Sequence, residues 1–186
     1  MNRLFLTKLH LVLAAFMFPA ILMFLATGAL YTWGEKGDWE ESSHEVSLSE
    51  PYASQSQGAL TSIAVQVLLD QGAAIPSGTE SLSGEGAEQS LNWTGARSEA
   101  SVKPTDDPQV AEVTIKQASF HRWLVQLHKA KGSTVFKVYA TILATVLFLL
   151  VASGLILGLQ VKALRRLTLV SSVAGFGAFV IFVLLG

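Results

Sequence analysis

The chain has no cysteine, which excludes disulfides, thiolate metal sites and cysteine nucleophiles and says nothing about redox compartment. Charge is scarce as well. Only 15% of residues are charged against 51% hydrophobic, well under the roughly 25% charged share of ordinary soluble proteins. Acidic residues are missing altogether before Glu35 and after Glu112. Outside that window every charge is basic, from Arg3 and Lys8 at one end to Arg166 at the other. Such segregation marks a membrane chain with a water-exposed middle. No HExxH, GxSxG or Gly-rich phosphate loop occurs, and Gly84 and Gly86 in "SGEGAE" read as a turn rather than a nucleotide cradle. No basic face with interleaved aromatics appears, so nucleic acid is excluded as a partner.

What is abundant is long apolar sequence. Runs at Leu9–Trp33, Val138–Val161 and Leu167–Gly186 are each about 20 residues or longer, enough to cross a bilayer. The first exceeds the apolar core of a cleaved signal peptide, and its "LATGA" is a poor cleavage site, so it reads as a retained anchor. Pro19 at mid-span predicts a freed carbonyl and a kink. Tyr31 and Trp33 predict an interfacial end. The five residues "KALRR", Lys162–Arg166, read as a short loop that makes the last two runs an antiparallel hairpin. Arg3 and Lys8, with the loop cations Lys162, Arg165 and Arg166, predict a cytoplasmic N-terminus and an outer middle domain and C-terminus. Gly154 and Gly158 form a small-xxx-small pair suited to packing among the helices or to homo-oligomer contact. No span holds an acidic residue, which argues against an ion-coupled transporter or a carboxylate proton pump.

Residues 34–131 between the spans predict a small α+β domain. "EVSLS", Glu45–Ser49, alternates weakly, as a half-buried strand does. Leu60, Ile63, Ala64, Val67 and Leu68 define one apolar helical face, with Gly72 as a stop. Residues 75–95 read as short strands or loops around "LNW". "KPTDDPQ" is turn chemistry, and "AEVTIKQ", Ala111–Gln117, alternates as an amphipathic strand. Ser119 caps a helix carrying Phe120, Trp123, Leu124 and Leu127, which Gly132 ends. The sequon at Asn92 carries no weight, because the tripeptide is common by chance.

Four histidines remain. His44, within "EESSHE", reads as solvated. His10 follows Lys8 at the cytoplasmic mouth of the first span. His121 and His128 share the helix before the second span, about 10 Å apart along its axis, so they cannot clamp one iron from opposite sides. His10 lies beyond a hydrocarbon layer about 30 Å thick. Two readings of His10, His121 and His128 stay open. They are interfacial side chains that pack and accept hydrogen bonds, or they contribute to a haem, metal or proton relay shared with another chain.

"KLHLVLAAFMFPAILMFLATGALYTW" resembles the first helix of PepSY-associated transmembrane proteins through Lys8, His10, Thr27, Gly28 and Leu30. "LHKAKGSTVFKVYATILATVLFLLVASGLIL" is similar to the family's second helix through Leu127, His128, Gly132, Ser153, Gly154 and Leu155. The two segments echo each other, "LH … TGAL" and "LH … SGLI", around the middle domain. The resemblance implies an α-helical membrane protein. Three transmembrane helices (1–33, then 138–161 and 167–186 in a hairpin over 132–186) would flank a PepSY-like α+β domain outside a bacterial inner membrane. The middle domain and C-terminus would be periplasmic. The function it implies is non-catalytic: binding of a ligand or partner by the outer domain, as an accessory of iron or siderophore uptake, with no resident cofactor. The alternative is a haem-bearing electron-transfer subunit of a ferric-siderophore or metal reductase, with haem b on His10, His128 or His121 and another chain completing the site. Partners would be the lipid bilayer and either another inner-membrane or periplasmic protein or further copies of the chain.

Overall fold

The computed structural model describes residues 3–84 and 88–186. Gly86 of the expected turn therefore lies outside the described residues, while Gly84 adopts φ +87°. Three helices among the described residues are long and apolar enough to cross a membrane. These are α1 (Arg3–Thr32), α4 (Thr134–Gln160) and α5 (Lys162–Leu185). In chain order the segment between α1 and α4 holds β1 (Trp39–Ser47), α2 (Gln57–Asp70), β2 (Glu80–Ser83), β3 (Ser90–Trp93), β4 (Ser98–Pro104), β5 (Val110–Ala118) and α3 (Phe120–His128). The chain groups into two compact units, one of residues 1–21 with 141–186 and the other of residues 22–140.

In the first unit, α1 runs helically through Pro19. The "KALRR" loop is not observed. Only Val161, extended at φ −93° and ψ 113°, separates α4 from α5, and Lys162–Arg166 form the first turn of α5. A link this short works because the helices approach closely at Gly158, where a Cβ would collide with Thr168. Gly154 faces His10, whereas a Cβ at Gly175 or Gly177 would meet nothing within 4 Å. α5 buries no residue, so its apolar surface is left for lipid or a partner.

In the second unit the strands form one antiparallel sheet in the order β1-β5-β4-β3-β2. α2 covers one face with Leu60, Ala64, Val67 and Leu68, against Leu91, Trp93, Ala100, Val102, Ala111, Val113 and Ile115. That is the helical periodicity of the sequence meeting the period-two alternation of three strands. Ser56 caps α2 by accepting from the Ala59 amide, and Gly72 at φ +63° follows its end. The expected strand at Glu45–Ser49 starts earlier, at Trp39. As an edge strand it leaves most side chains in water, so hydrophobic alternation cannot mark it. β4 carries no sequence signal either, because Ser98 and Ala100 occupy buried positions where larger apolar residues would show. Tyr52 reaches into the core from a single 3-10 turn at Tyr52–Ser54, and its hydroxyl donates to the Val102 carbonyl at 2.9 Å.

α3 begins as expected, with Ser119 Oγ accepting from the Arg122 amide. Its end differs. Ala130, not Gly132, takes the left-handed conformation at φ 58°. The Lys131 amide donates to Gln126 O and the Ala130 amide to Leu127 O, the two bonds of a Schellman cap. Gly132 is needed for space, since a Cβ there would lie 3.0 Å from Leu127 Cδ2 and Phe136 Cβ.

Two measurements follow from these contacts. Ala130→Gly removes the cost of an L side chain in the left-handed region and should stabilise the chain by about 1 kcal/mol in thermal melts in detergent. Burial raises the Tyr52 phenol above its ordinary pKa of 10.0, so the neutral form is favoured in the fold. The stabilisation it provides is present below pH 10.0 and is lost as pH rises through the shifted value. Tyr52→Phe should cost about 1 kcal/mol at neutral pH and flatten that alkaline loss.

Candidate functional site

The two Leu-His histidines are held by the same construction. On α1, Phe24, Thr27 and Gly28 share one face through their i, i+3 and i+4 spacing. His128, the last residue of α3, lies against that face. Its Nδ1 is 2.9 Å from Thr27 Oγ1, and its ring centroid is 4.8 Å from that of Phe24. A Cβ on Gly28 would sit 3.2 Å from His128 Cε1, so the missing side chain lets the imidazole rest on the helix backbone. In the other unit, His10 Nδ1 is 2.8 Å from Ser153 Oγ on α4. Here Gly154 follows the hydroxyl residue, and its Cβ would lie 3.9 Å from His10 Cε1. An apolar cavity of about 220 Å³ adjoins this pair, lined by Leu6, Leu13, Leu149 and Ile156 along with His10.

The hydroxyls decide which imidazole nitrogen carries the proton. Thr27 Oγ1 donates its single hydrogen to the Met23 carbonyl at 2.6 Å. Its oxygen is then free to accept from His128 Nδ1, which matches a neutral ring carrying its hydrogen on Nδ1. Ser153 Oγ donates to Leu150 O at 3.0 Å, so the same arrangement is open to His10. In that form both rings donate through Nδ1 and leave Nε2 without a hydrogen-bond partner among the described residues. A neutral imidazole with Nδ1–H donated and Nε2 bare is the form that binds metal.

His121 is arranged differently. Its Nε2 is buried and unpartnered, and its backbone is covered by the Gly37 turn, where a Cβ would lie 3.1 Å from the His121 carbonyl carbon. The structure pairs it with neither His10 nor His128. His44 Nε2 approaches only Ser42 Oγ, at 3.2 Å. Among the described residues no three His, Cys, Asp or Glu gather as a metal-binding group. Each Leu-His site therefore offers one imidazole. Thr27 and Ser153 entered the sequence reading only as motif positions. The signal that could have assigned them was the crossed echo itself, since each Leu-His lies opposite the hydroxyl-glycine step of the other segment.

The PepSY-associated TM region matches residues 7–179, nearly the whole of the 186-residue chain. The chain belongs to the PepSY-associated TM family. With its three apolar helices it is a multi-pass membrane protein of that family. No curated protein and no solved structure matches it.

Each site would offer a haem iron one imidazole with a hydroxyl behind its Nδ1. Thr27→Val and Ser153→Ala each remove the acceptor from Nδ1. In ¹⁵N spectra of histidine-labelled protein above the histidine titration range, wild type should show both rings as Nδ1–H. Thr27→Val should return only His128 to the Nε2–H form of a solvated ring, and Ser153→Ala only His10. Gly28→Val, which drives methyl groups into the ring, should reproduce the effect of Thr27→Val.

Proposed function

We propose that this protein is a haem-bearing electron-transfer subunit of a bacterial inner membrane. On this reading His10 and His128 would each supply one imidazole to a haem b, with a second chain completing the site. The observation that supports it is the pair of imidazoles each held through Nδ1 by a helix hydroxyl, an arrangement that would leave Nε2 to ligate. When bound, the haem supplies one-electron chemistry. This chain's own residues orient the rings: Thr27 and Ser153 hold Nδ1–H, Phe24 and Gly28 hold the His128 plane, and apolar residues beside His10 exclude water. His10 stands near the start of α1 and Thr27 near its end, so one imidazole serves each border of the span. In this orientation the N-terminus is cytoplasmic and residues 34–131 are periplasmic. On this reading the subunit would serve a reductase acting on a metal or ferric siderophore.

A second reading has its own observation. The sheet face away from α2 is polar, with a cavity of about 200 Å³ lined by Asn92, Glu99, Ser101, Lys103, Thr114 and Lys116. On that reading the outer domain binds a partner there without catalysis, and the histidine bonds are helix ties.

The visible spectrum of detergent-purified protein from haem-replete cells, with native partners retained, separates the two. A Soret band with the split visible bands of a low-spin bis-imidazole haem is expected, reduced by His10→Ala and by His128→Ala and abolished in the double variant. A colourless preparation overturns the haem reading and leaves the binding one.

A further inference from the structure

A groove of about 280 Å³ opens beside the first turn of α4. Its apolar wall is Ile75, Trp123, Leu127 and Phe136, and its single charged member is Arg97. The Arg97 guanidinium lies 4.7 Å from the Trp123 ring centroid. It is exposed and makes no ion pair among the described residues. No carboxylate lines the groove; the nearby Glu99 is engaged by Lys131 at 3.1 Å. The loop bearing Ile75 is fixed in place. Ser98 donates to the Ala74 carbonyl, Ser77 Oγ donates to Lys131 O at 3.3 Å, and the Gly78 amide donates to Thr94 O at 3.0 Å.

Position identifies the occupant. Gly132, Ser133 and Phe136 bound the groove at the start of α4, a helix long and apolar enough to cross a membrane, where lipid headgroups would lie. Ile75 remains 50% exposed at the groove, and Val135 in the first turn of α4 is 80% exposed. A delocalised, weakly hydrated guanidinium above such a wall matches a phosphodiester attached to an acyl chain. We propose that this groove seats an anionic phospholipid, its phosphate on Arg97 and its first methylenes on Ile75, Leu127 and Phe136. The inference does not require haem: the two side chains that test it, Arg97 and Phe136, make no hydrogen bond or ring contact with His10 or His128.

Native mass spectrometry of the full chain, purified from bilayers of equal phosphatidylglycerol and phosphatidylcholine, tests it. One phosphatidylglycerol should persist at detergent levels that strip the other lipids. Arg97→Gln should lower its occupancy about tenfold, the loss expected for one charge-assisted contact, and Arg97→Lys should do so less. Phe136→Ala should weaken retention of both lipids, which keeps the proposal testable should Arg97→Gln fold poorly. Equal retention of the two lipids by wild type, or unchanged retention in both Arg97→Gln and Phe136→Ala, overturns it. So does a polypeptide rather than a lipid retained in the groove of wild type.

Discussion

A hydroxyl carries one hydrogen, and on a transmembrane helix that hydrogen has a carbonyl within reach one turn back. Thr27 gives its hydrogen to Met23 and Ser153 to Leu150, as intramembrane hydroxyls do where water is absent. Once it is spent, the oxygen is an acceptor and nothing else. A neutral imidazole opposite it then does best to present Nδ1–H, which leaves Nε2 as its acceptor nitrogen. The chemistry of both sites descends from this bond. It is local to a helix, needs no metal or partner, and is in place whatever comes to occupy Nε2.

The bond is useful only if the ring reaches the hydroxyl, and here backbone geometry takes over. His128 ends a helix of nine residues whose position is set from both ends. Ser119 caps its start, and the left-handed Ala130 turns the chain toward α4. Along its length Gln126 Nε2 donates to Glu99 Oε1 at 3.3 Å, and Lys131 pairs with the same oxygen. Arg122 stacks over Trp39 and Arg97 over Trp123. α3 is thus fastened to β4 and β1 on one side and presents His128 to Thr27 and Phe24 on the other. A short helix rather than a loop joins the sheet to the imidazole, and Gly28 is the point at which α1 makes room for the ring.

How far the sequence foretold this varies with what each residue does. Apolar length alone marked three spans, because hydrocarbon imposes a minimum on any crossing helix. Leu60 to Leu68 and Ala111 to Gln117 were legible because one face of each is buried and the other wet. β1 and β4 were not, since an edge strand and a small-residue core position both suppress alternation. The turn at Val161 was misplaced because basic residues resemble a loop, yet Lys162–Arg166 also make a good first helical turn. Ala130 could not be anticipated, as glycine is the usual occupant and Gly132 stood two residues away. The histidines were visible as motif members. That each donates, and to which hydroxyl, is a tertiary fact that spacing within one helix cannot contain.

The crossed arrangement limits how such a chain can be divided. His10 and Thr27 both belong to the first Leu-His segment, and His128 and Ser153 to the second, yet neither histidine is bonded within its own segment. Either segment alone would keep its imidazole and its hydroxyl but leave both without the other's partner. The hydroxyl would still satisfy itself on its own helix, whereas the ring would lose the one contact that selects its tautomer. The cost of separation therefore falls on the histidines and not on the helices. A membrane chain whose helices are individually apolar enough to insert would then still depend on both segments for its histidine–hydroxyl bonds, and the sheet domain between them is what joins those segments in a single polypeptide.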